Sequence, residues 1–549
     1  MHHAAIEILL LLLVGCTVGL VAMRLRVPYT LTLVVAGISL GFVQLEQLEA
    51  FELNAEVLFT FLLPALLFEA AFHLDIKDFN ANKLPILMLA IPGVLLSVGV
   101  TAALAQGLIG GSGLRSEFGW AHAALFASVI AATDPISVLA IFKELGVTRR
   151  LYLLVEGESL VNDGVAVVVF LIVAAMFGVD VGHGGHHELH GWAETMVFGV
   201  KTFVYMGGVG VLVGVIAGSL ATTVMRQFDD HLVEITITTI VAYGSFLLSE
   251  EIGASGVLAT VTAGIVTGSY GTRYGMSTQT RLAVEDFWEY MAFVANTFVF
   301  LLVGLQLEIT ALAQDVLPIS LGFLAMLVGR IIAVGGLFPL IRFGSKPIPA
   351  KWSSVLIWGG LKGSLSMVLI LGVSTQFEGR ELLIRLVFGV VSASLFLQGL
   401  SIGPLLKWLG LSGTKAEESI AFEAERAQVV AATHALHTLD SLLKEGLVDA
   451  QTGEKMRAWY LNRREAASQR ANELVGSAHS VSGHQLLELA RQLADVEREA
   501  IRHAARTDVI GKEAGGCALR ELDERIFELK HVQHDPDLEE KLVKLFRPD

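Results

Sequence analysis

Charge is scarce in this chain. Asp, Glu, Lys and Arg make up only 17% of its 549 residues, where a soluble domain carries about 25%. Apolar residues fill the gap, at 53% of the total and a mean hydropathy of +0.62. That composition excludes a soluble enzyme and fits a polytopic membrane protein with a soluble appendage. Cysteine is nearly missing. Cys16 and Cys517 lie far apart, so no disulfide framework is expected. A basic excess is missing too: the net charge of -15 argues against nucleic acid as a partner. No Lys or Arg precedes the first apolar segment, residues 5–23, and a secretory signal needs that basic region. The same lack argues against reading Leu13-Val14-Gly15-Cys16 as a lipoprotein cleavage box. The segment reads instead as a spanning helix stopped by Arg24 and Arg26.

Thirteen apolar segments of spanning length lie between residues 5 and 409. Alternate loops between them collect basic residues: Arg24 and Arg26; Lys77 and Lys83; Lys143, Arg149 and Arg150; Arg226; Arg273 and Arg281; Arg342, Lys346 and Lys351. The other loops hold mainly acids, among them Glu46, Glu49, Glu52, Glu250, Glu251, Glu308 and Asp315. Positive-inside bias then places the N-terminus outside and the C-terminus inside.

The chain is organised around residues 131–170. Two apolar segments there carry carboxylates in their middles: Asp134 in span five (120–142), and Glu158 and Asp163 in span six (151–178). A carboxylate at the centre of a membrane helix costs roughly 2.5–3.5 kcal/mol on insertion scales. Pro135 removes a backbone donor and disfavours helix at Asp134, so span five reads as broken at its acidic residue. Span twelve (352–375) contains Trp358-Gly359-Gly360-Leu361-Lys362-Gly363 and reads as broken at a lysine. With thirteen spans these two run in opposite directions. That fits inverted six-helix repeats, spans 1–6 and 8–13, joined by span seven.

Ser159 and Asp163 are four apart and share one helix face. With the carbonyls freed around Thr133 they offer hard oxygens, which suit a small cation such as sodium. Asp163 can take either a cation or a proton, and competition between the two is the simplest antiport mechanism. Glu158 points to another face, and Arg330 in span eleven is the candidate to neutralise it. Asp134 balances either Lys362 or a half-helix dipole. Glu69 in span three has a possible local partner in His73, one turn on. Glu234, after His231, reads as interfacial.

These residues resemble the cation–proton antiporters of the NhaP type, the branch related to animal sodium–proton exchangers. The likeness rests on several motifs in order. They are Phe61-Leu62-Leu63-Pro64 with Glu69 downstream, Thr133-Asp134-Pro135, Glu156-Gly157-Glu158-Ser159-Leu160-Val161-Asn162-Asp163, Gly329-Arg330, and Trp358-Gly359-Gly360-Leu361-Lys362-Gly363. It covers residues 1 to about 410. It implies an ion site of Asp163, Ser159, Thr133 and Glu69, and Asn162 is read as a further ion-binding residue. It also implies a structural Glu158–Arg330 pair, with Asp134 and Lys362 balancing charge at the crossing helices. The chain departs from the pattern at Lys362, where this branch usually has arginine. Basic charge is kept and bidentate geometry lost.

Residues 411–549 change character. Ala, Glu, Arg, Leu and His dominate, with apolar stripes at helical spacing: Leu436, Leu439, Leu442 and Leu443, then Leu486, Leu487, Leu489, Leu493 and Val496. No nucleotide fingerprint, metal spacing or nucleophile constellation appears there. His183, His186, His187 and His190 in the loop after span six could bind zinc, and a solvated loop is the reading preferred. The expectation is therefore an all-α membrane protein of two parts. Residues 1–410 form a transmembrane antiporter domain and 411–549 a cytoplasmic helical regulatory domain. The expected activity is electroneutral sodium–proton exchange in the plasma membrane, by alternating access and as a homodimer. Sodium and protons are cargo, and no cofactor is implied. Potassium–proton exchange is the nearest alternative and a cation channel the distant one.

Overall fold

A computed structural model describes residues 2–25, 29–41, 58–115, 117–181, 192–227, 230–272, 275–276, 278–306, 309–342, 348–411, 414–444, 449–477 and 514. Among them every regular element is helical. The chain divides into two compact units, residues 1–413 and 414 onward.

The first unit runs α1 (His2–Leu25), α2 (Tyr29–Gly41), α3 (58–72), α4 (Ile76–Gly110), α5 (Trp120–Val129), α6 (Ile136–Glu144), α7 (Arg149–Met176), α8 (Trp192–Met225), α9 (His231–Glu251), α10 (256–271), α11 (Thr278–Gln306), α12 (Ile309–Gln314), α13 (Val316–Arg342), α14 (Lys351–Trp358), α15 (Ser364–Leu371) and α16 (Arg380–Trp408). Six stretches within these helices are long and apolar enough to cross a membrane: 76–110, 149–176, 197–225, 231–251, 316–342 and 380–408. Two helices begin earlier than hydropathy indicates. Asp75 accepts the Lys77 N–H and caps α4, so Lys77 and Lys83 lie in its first turns rather than in a loop. Helix α11 starts at Thr278, adding a polar turn whose Arg281 and Glu285 pair at 2.7 Å.

The helices sort into two bundles. One holds α4, α5, α6, α7, α13, α14, α15 and α16, with α13 packed on α4 and α16, and α7 on α4 and α5. The other holds α1, α2, α3, α8, α9, α10 and α11, with α2 on α11, and α10 on α3, α8 and α9. Lipid supplies no hydrophobic drive between helices, so small residues set how closely they approach. At Gly214 a Cβ would stand 2.3 Å from the Ala259 carbonyl, and at Gly37 one would stand 2.2 Å from that of Leu301. Elsewhere along α8, Val200, Val204, Leu212 and Leu220 are exposed. At one end of the first bundle a buried carboxylate, Asp315, accepts from Arg115 and from Arg385 Nε at 2.7 Å, joining the α4 loop, the α13 start and α16.

The second unit contains α17 (Thr414–Lys444) and α18 (Ala450–Ser477), which pack on each other. Leu439 of the first predicted stripe is buried there. Arg470–Glu425, Arg463–Gln428 and Arg457–Asp440 contacts run along the pair, the first at 2.9 Å and the second at 3.1 Å. The stripe at 486–496, Cys517 and the histidines at 183–190 lie outside the described residues.

Candidate functional site

Two broken helices cross in the middle of the first bundle. Helix α5 ends at Val129 and α6 begins at Ile136; α14 ends at Trp358 and α15 begins at Ser364. Each break satisfies backbone groups of the other. The Asp134 N–H donates to the Leu361 carbonyl at 2.8 Å, and Ser366 Oγ donates to the Val129 carbonyl at 2.9 Å. The Lys362 N–H donates to Ser394 Oγ at 3.1 Å.

The two charges at the crossing meet helix ends rather than each other. Asp134 Oδ1 accepts the Ile136 N–H at 2.9 Å, at the positive start of α6. Lys362 Nζ donates to the Ala132 and Ala131 carbonyls at 3.3 and 3.4 Å, just past the negative end of α5. Of the two partners expected for Asp134, the structure contains the half-helix dipole and not Lys362. Gly363 makes room for this arrangement, because a Cβ there would lie 2.2 Å from Asp134 Cβ.

Helix α7 brings Ser159, Asn162 and Asp163 to the first break. Thr133 Oγ1 lies 2.9 Å from Ser159 Oγ, and the Ser159 hydroxyl also donates to the Thr133 carbonyl. Asn162 Nδ2 donates to Thr133 Oγ1 at 2.9 Å and to the Ala131 carbonyl at 3.1 Å, holding the broken strand in place. Asp163 Oδ1 and Asn162 Oδ1 are buried with no hydrogen-bond partner. A buried oxygen left so costs about 1–3 kcal/mol. A cluster of hard oxygens with an unmatched carboxylate oxygen among them is what a small cation, or a proton, satisfies.

Glu158 faces away from this cluster and meets Arg330 of α13 in a two-pronged pair, Nη1–Oε1 and Nη2–Oε2 both at 2.8 Å. Both residues are buried. Arg330 also donates to the Leu356 carbonyl, 2.9 Å from Nη2, and so ties α7 to the last turn of α14. Planar donors matched to planar acceptors make this a rigid contact.

A cavity of about 700 Å³ opens between the two bundles and reaches Thr133, Asp134 and Asp163. Glu69 lines it from α3 and also sits 3.4 Å from His73, so its local pair and its place at the cavity coexist. Sequence reasoning passed over three further lining residues, Glu156, Glu289 and Asn296. Glu156 had a signal: it precedes Asp163 by two helical turns on the same face. Glu289 and Asn296 had none, because only the packing of α11 turns them toward the cavity. Glu234 is buried, in the first turn of a helix that Asp230 caps.

A family model described as "Sodium/hydrogen exchanger, transmembrane" matches residues 8–408. The chain is 36% identical over 489 residues to the Na(+)/H(+) antiporter ApNhaP of Aphanothece halophytica, covering 87% of this chain and 88% of that one. It is 32% identical over 544 residues to the Na(+)/H(+) antiporter NhaG of Bacillus atrophaeus, covering 97% and 99%. The solved structure of the sodium proton antiporter MjNhaP1 from Methanocaldococcus jannaschii shares the fold. Its TM-score is 0.60 at 18% identity, over 74% of this chain and 99% of that one.

Proposed function

This chain belongs to the sodium/hydrogen exchanger family, and on that premise we propose that it exchanges one sodium ion for one proton across the plasma membrane. The observation that carries the reading is the unmatched Asp163 Oδ1 beside Thr133, Ser159 and Asn162, on the wall of the cavity. Ionised, Asp163 holds sodium with the oxygens of Thr133 and Ser159, and Glu69 contributes from the opposite wall. Protonated, it releases the cation. The two cargoes exclude each other at one carboxylate, which couples their fluxes without a cofactor.

The two-bundle arrangement supports an elevator form of alternating access. The cavity is walled by α2, α3 and α11 on one side and by α6, α7, the break after α5 and the start of α15 on the other. In our reading the bundle of crossing helices carries the ion past the other bundle. The Glu158–Arg330 pair keeps the carrier rigid, and Asp134 and Lys362 balance the half-helix ends. The finer architecture follows the same reading. Thirteen spans form two inverted six-helix repeats about a linker helix, with the N-terminus outside. Residues 1–410 are the transmembrane domain, and residues 411–549 form a cytoplasmic regulatory domain on a homodimer.

The test is Asp163→Asn in reconstituted vesicles. An amide cannot carry the proton, so sodium-driven proton flux should vanish while folded protein remains. Wild-type flux in that variant would sink the assignment. Adding sodium, lithium and potassium in turn separates sodium from potassium exchange, and saturation with trans-stimulation separates a carrier from a channel.

A further inference from the structure

The wall of the cavity opposite Asp163 carries a feature that packing does not account for. Helix α11 turns Glu289, Phe293 and Asn296 toward the cavity. Asn296 is only 8% exposed, yet its Oδ1 is buried with no hydrogen-bond partner. The residue beside it shows that this wall is otherwise well satisfied. Thr297 Oγ1 lies 2.6 Å from the Tyr29 hydroxyl and donates to the Phe293 carbonyl at 2.7 Å. An unmade hydrogen bond at a buried oxygen is unfavourable. Asn296 lines the same cavity as Asp163, whose Oδ1 is likewise buried without a partner.

We propose that Asn296 is a specificity-determining residue: its side-chain carbonyl is a neutral oxygen ligand for the cation, supplied from the stationary bundle while the site faces the cavity. Carboxamide carbonyls are hard ligands that suit small cations. They add no charge, so the carboxylate that exchanges the proton remains Asp163 alone. Placement gives the residue a graded role. Glu289, two turns away on the same face of α11, stands about 10 Å further along the helix axis. This wall of the cavity thus presents an acidic side chain and a neutral oxygen at different heights along one helix. The ligand set depends on which bundle the ion faces, so it affects the size of ion accepted on this side of the cycle.

The inference rests on the proposed exchange of sodium for protons, so wild-type vesicles are measured first. Absent sodium-driven proton flux there defeats that function and leaves Asn296 aside as a separate question. With exchange in hand, Asn296→Leu keeps the volume and removes the oxygen, while Asn296→Asp keeps an oxygen in place. Asn296→Leu should raise the apparent KM for sodium about fivefold, the scale of one lost hydrogen-bond-like contact. It should shift lithium by a different factor and leave the saturated rate largely intact. Asn296→Asp should return both KM values toward wild type. A structural role predicts the reverse: a lower saturated rate at unchanged KM, equal for both ions, and that result overturns the proposal. If Asn296→Leu does not fold, Asn296→Ser is measured by thermal stabilisation with sodium, without transport. A stabilisation curve superposing on wild type overturns the proposal, and one displaced to higher sodium supports it.

Discussion

At the residue scale the decisive contrast is between two acids five positions apart on α7. Glu158 is matched atom for atom by Arg330, while Asp163 keeps an oxygen with no partner. One is a strut and the other, in our proposal, the ion site. Removing one side of a buried pair strands a charge, at about 3–5 kcal/mol. Glu158→Gln and Arg330→Gln should therefore each lower Tm sharply. Changing both should recover part of the loss, because no charge is then left alone. Strictly additive Tm losses in the double variant would show that the pair does not act as a unit. These acids were legible in the sequence because a carboxylate in an apolar run stands out against its surroundings. Asn296 was not, since an asparagine in a helix of mixed character is ordinary until its neighbours across the cavity are known. Lys362 was legible as a charge but not in its partner, which is a pair of carbonyls brought there by a helix 230 residues away.

At the element scale the breaks in the two crossing helices could be read from Asp134-Pro135 and Gly359-Gly360, where the backbone chemistry is local. Helix starts could not. Helix α4 reaches back to Ile76 and α11 to Thr278 through polar turns that hydropathy does not register. The joint at Asp315 was likewise invisible, because it gathers three elements distant in sequence. Its pH behaviour is open to measurement. Burial alone would raise the Asp315 carboxyl, but hydrogen bonds from Arg385 and Arg115 outweigh burial and hold it below its ordinary value. A carboxylate depressed in the folded state adds stability that is present above its unfolded value of about 3.9, and that is lost as pH falls through the folded value. Wild-type Tm should therefore drop on acidification below about pH 4 more steeply than that of Asp315→Asn. Parallel Tm curves for the two proteins would remove Asp315 from the acid response.

At the scale of the whole molecule the question is how much charge crosses per cycle. Asn162, not a second acid, precedes Asp163, and its amide is engaged by Thr133 and Ala131. Glu158 is held by Arg330. On the exchange we propose, one titrating carboxylate carries one sodium or one proton, and a cycle moves no net charge. Had one charge crossed, 100 mV would be worth about 2.3 kcal/mol, roughly a fifty-fold shift in the equilibrium ion ratio. An imposed diffusion potential should leave the sodium–proton balance point where it was. A fifty-fold displacement would mean that a second proton crosses.

The cavity that leads to the site has a consequence of its own. Glu69, Asp134, Glu156, Asp163 and Glu289 line it against Lys143 and Arg149, within walls of low polarisability. Such a vestibule works as a small ion-exchange column. In the exchange we propose, those carboxylates that are ionised enrich cations over the bulk by a Boltzmann factor, and inert salt flattens that factor within a Debye length of about 8 Å at physiological ionic strength. The site therefore meets a sodium activity set partly by the protein itself. On that proposal the affinity seen from solution is the product of two quantities, how strongly the vestibule gathers ions and how well Asp163 then chooses among them.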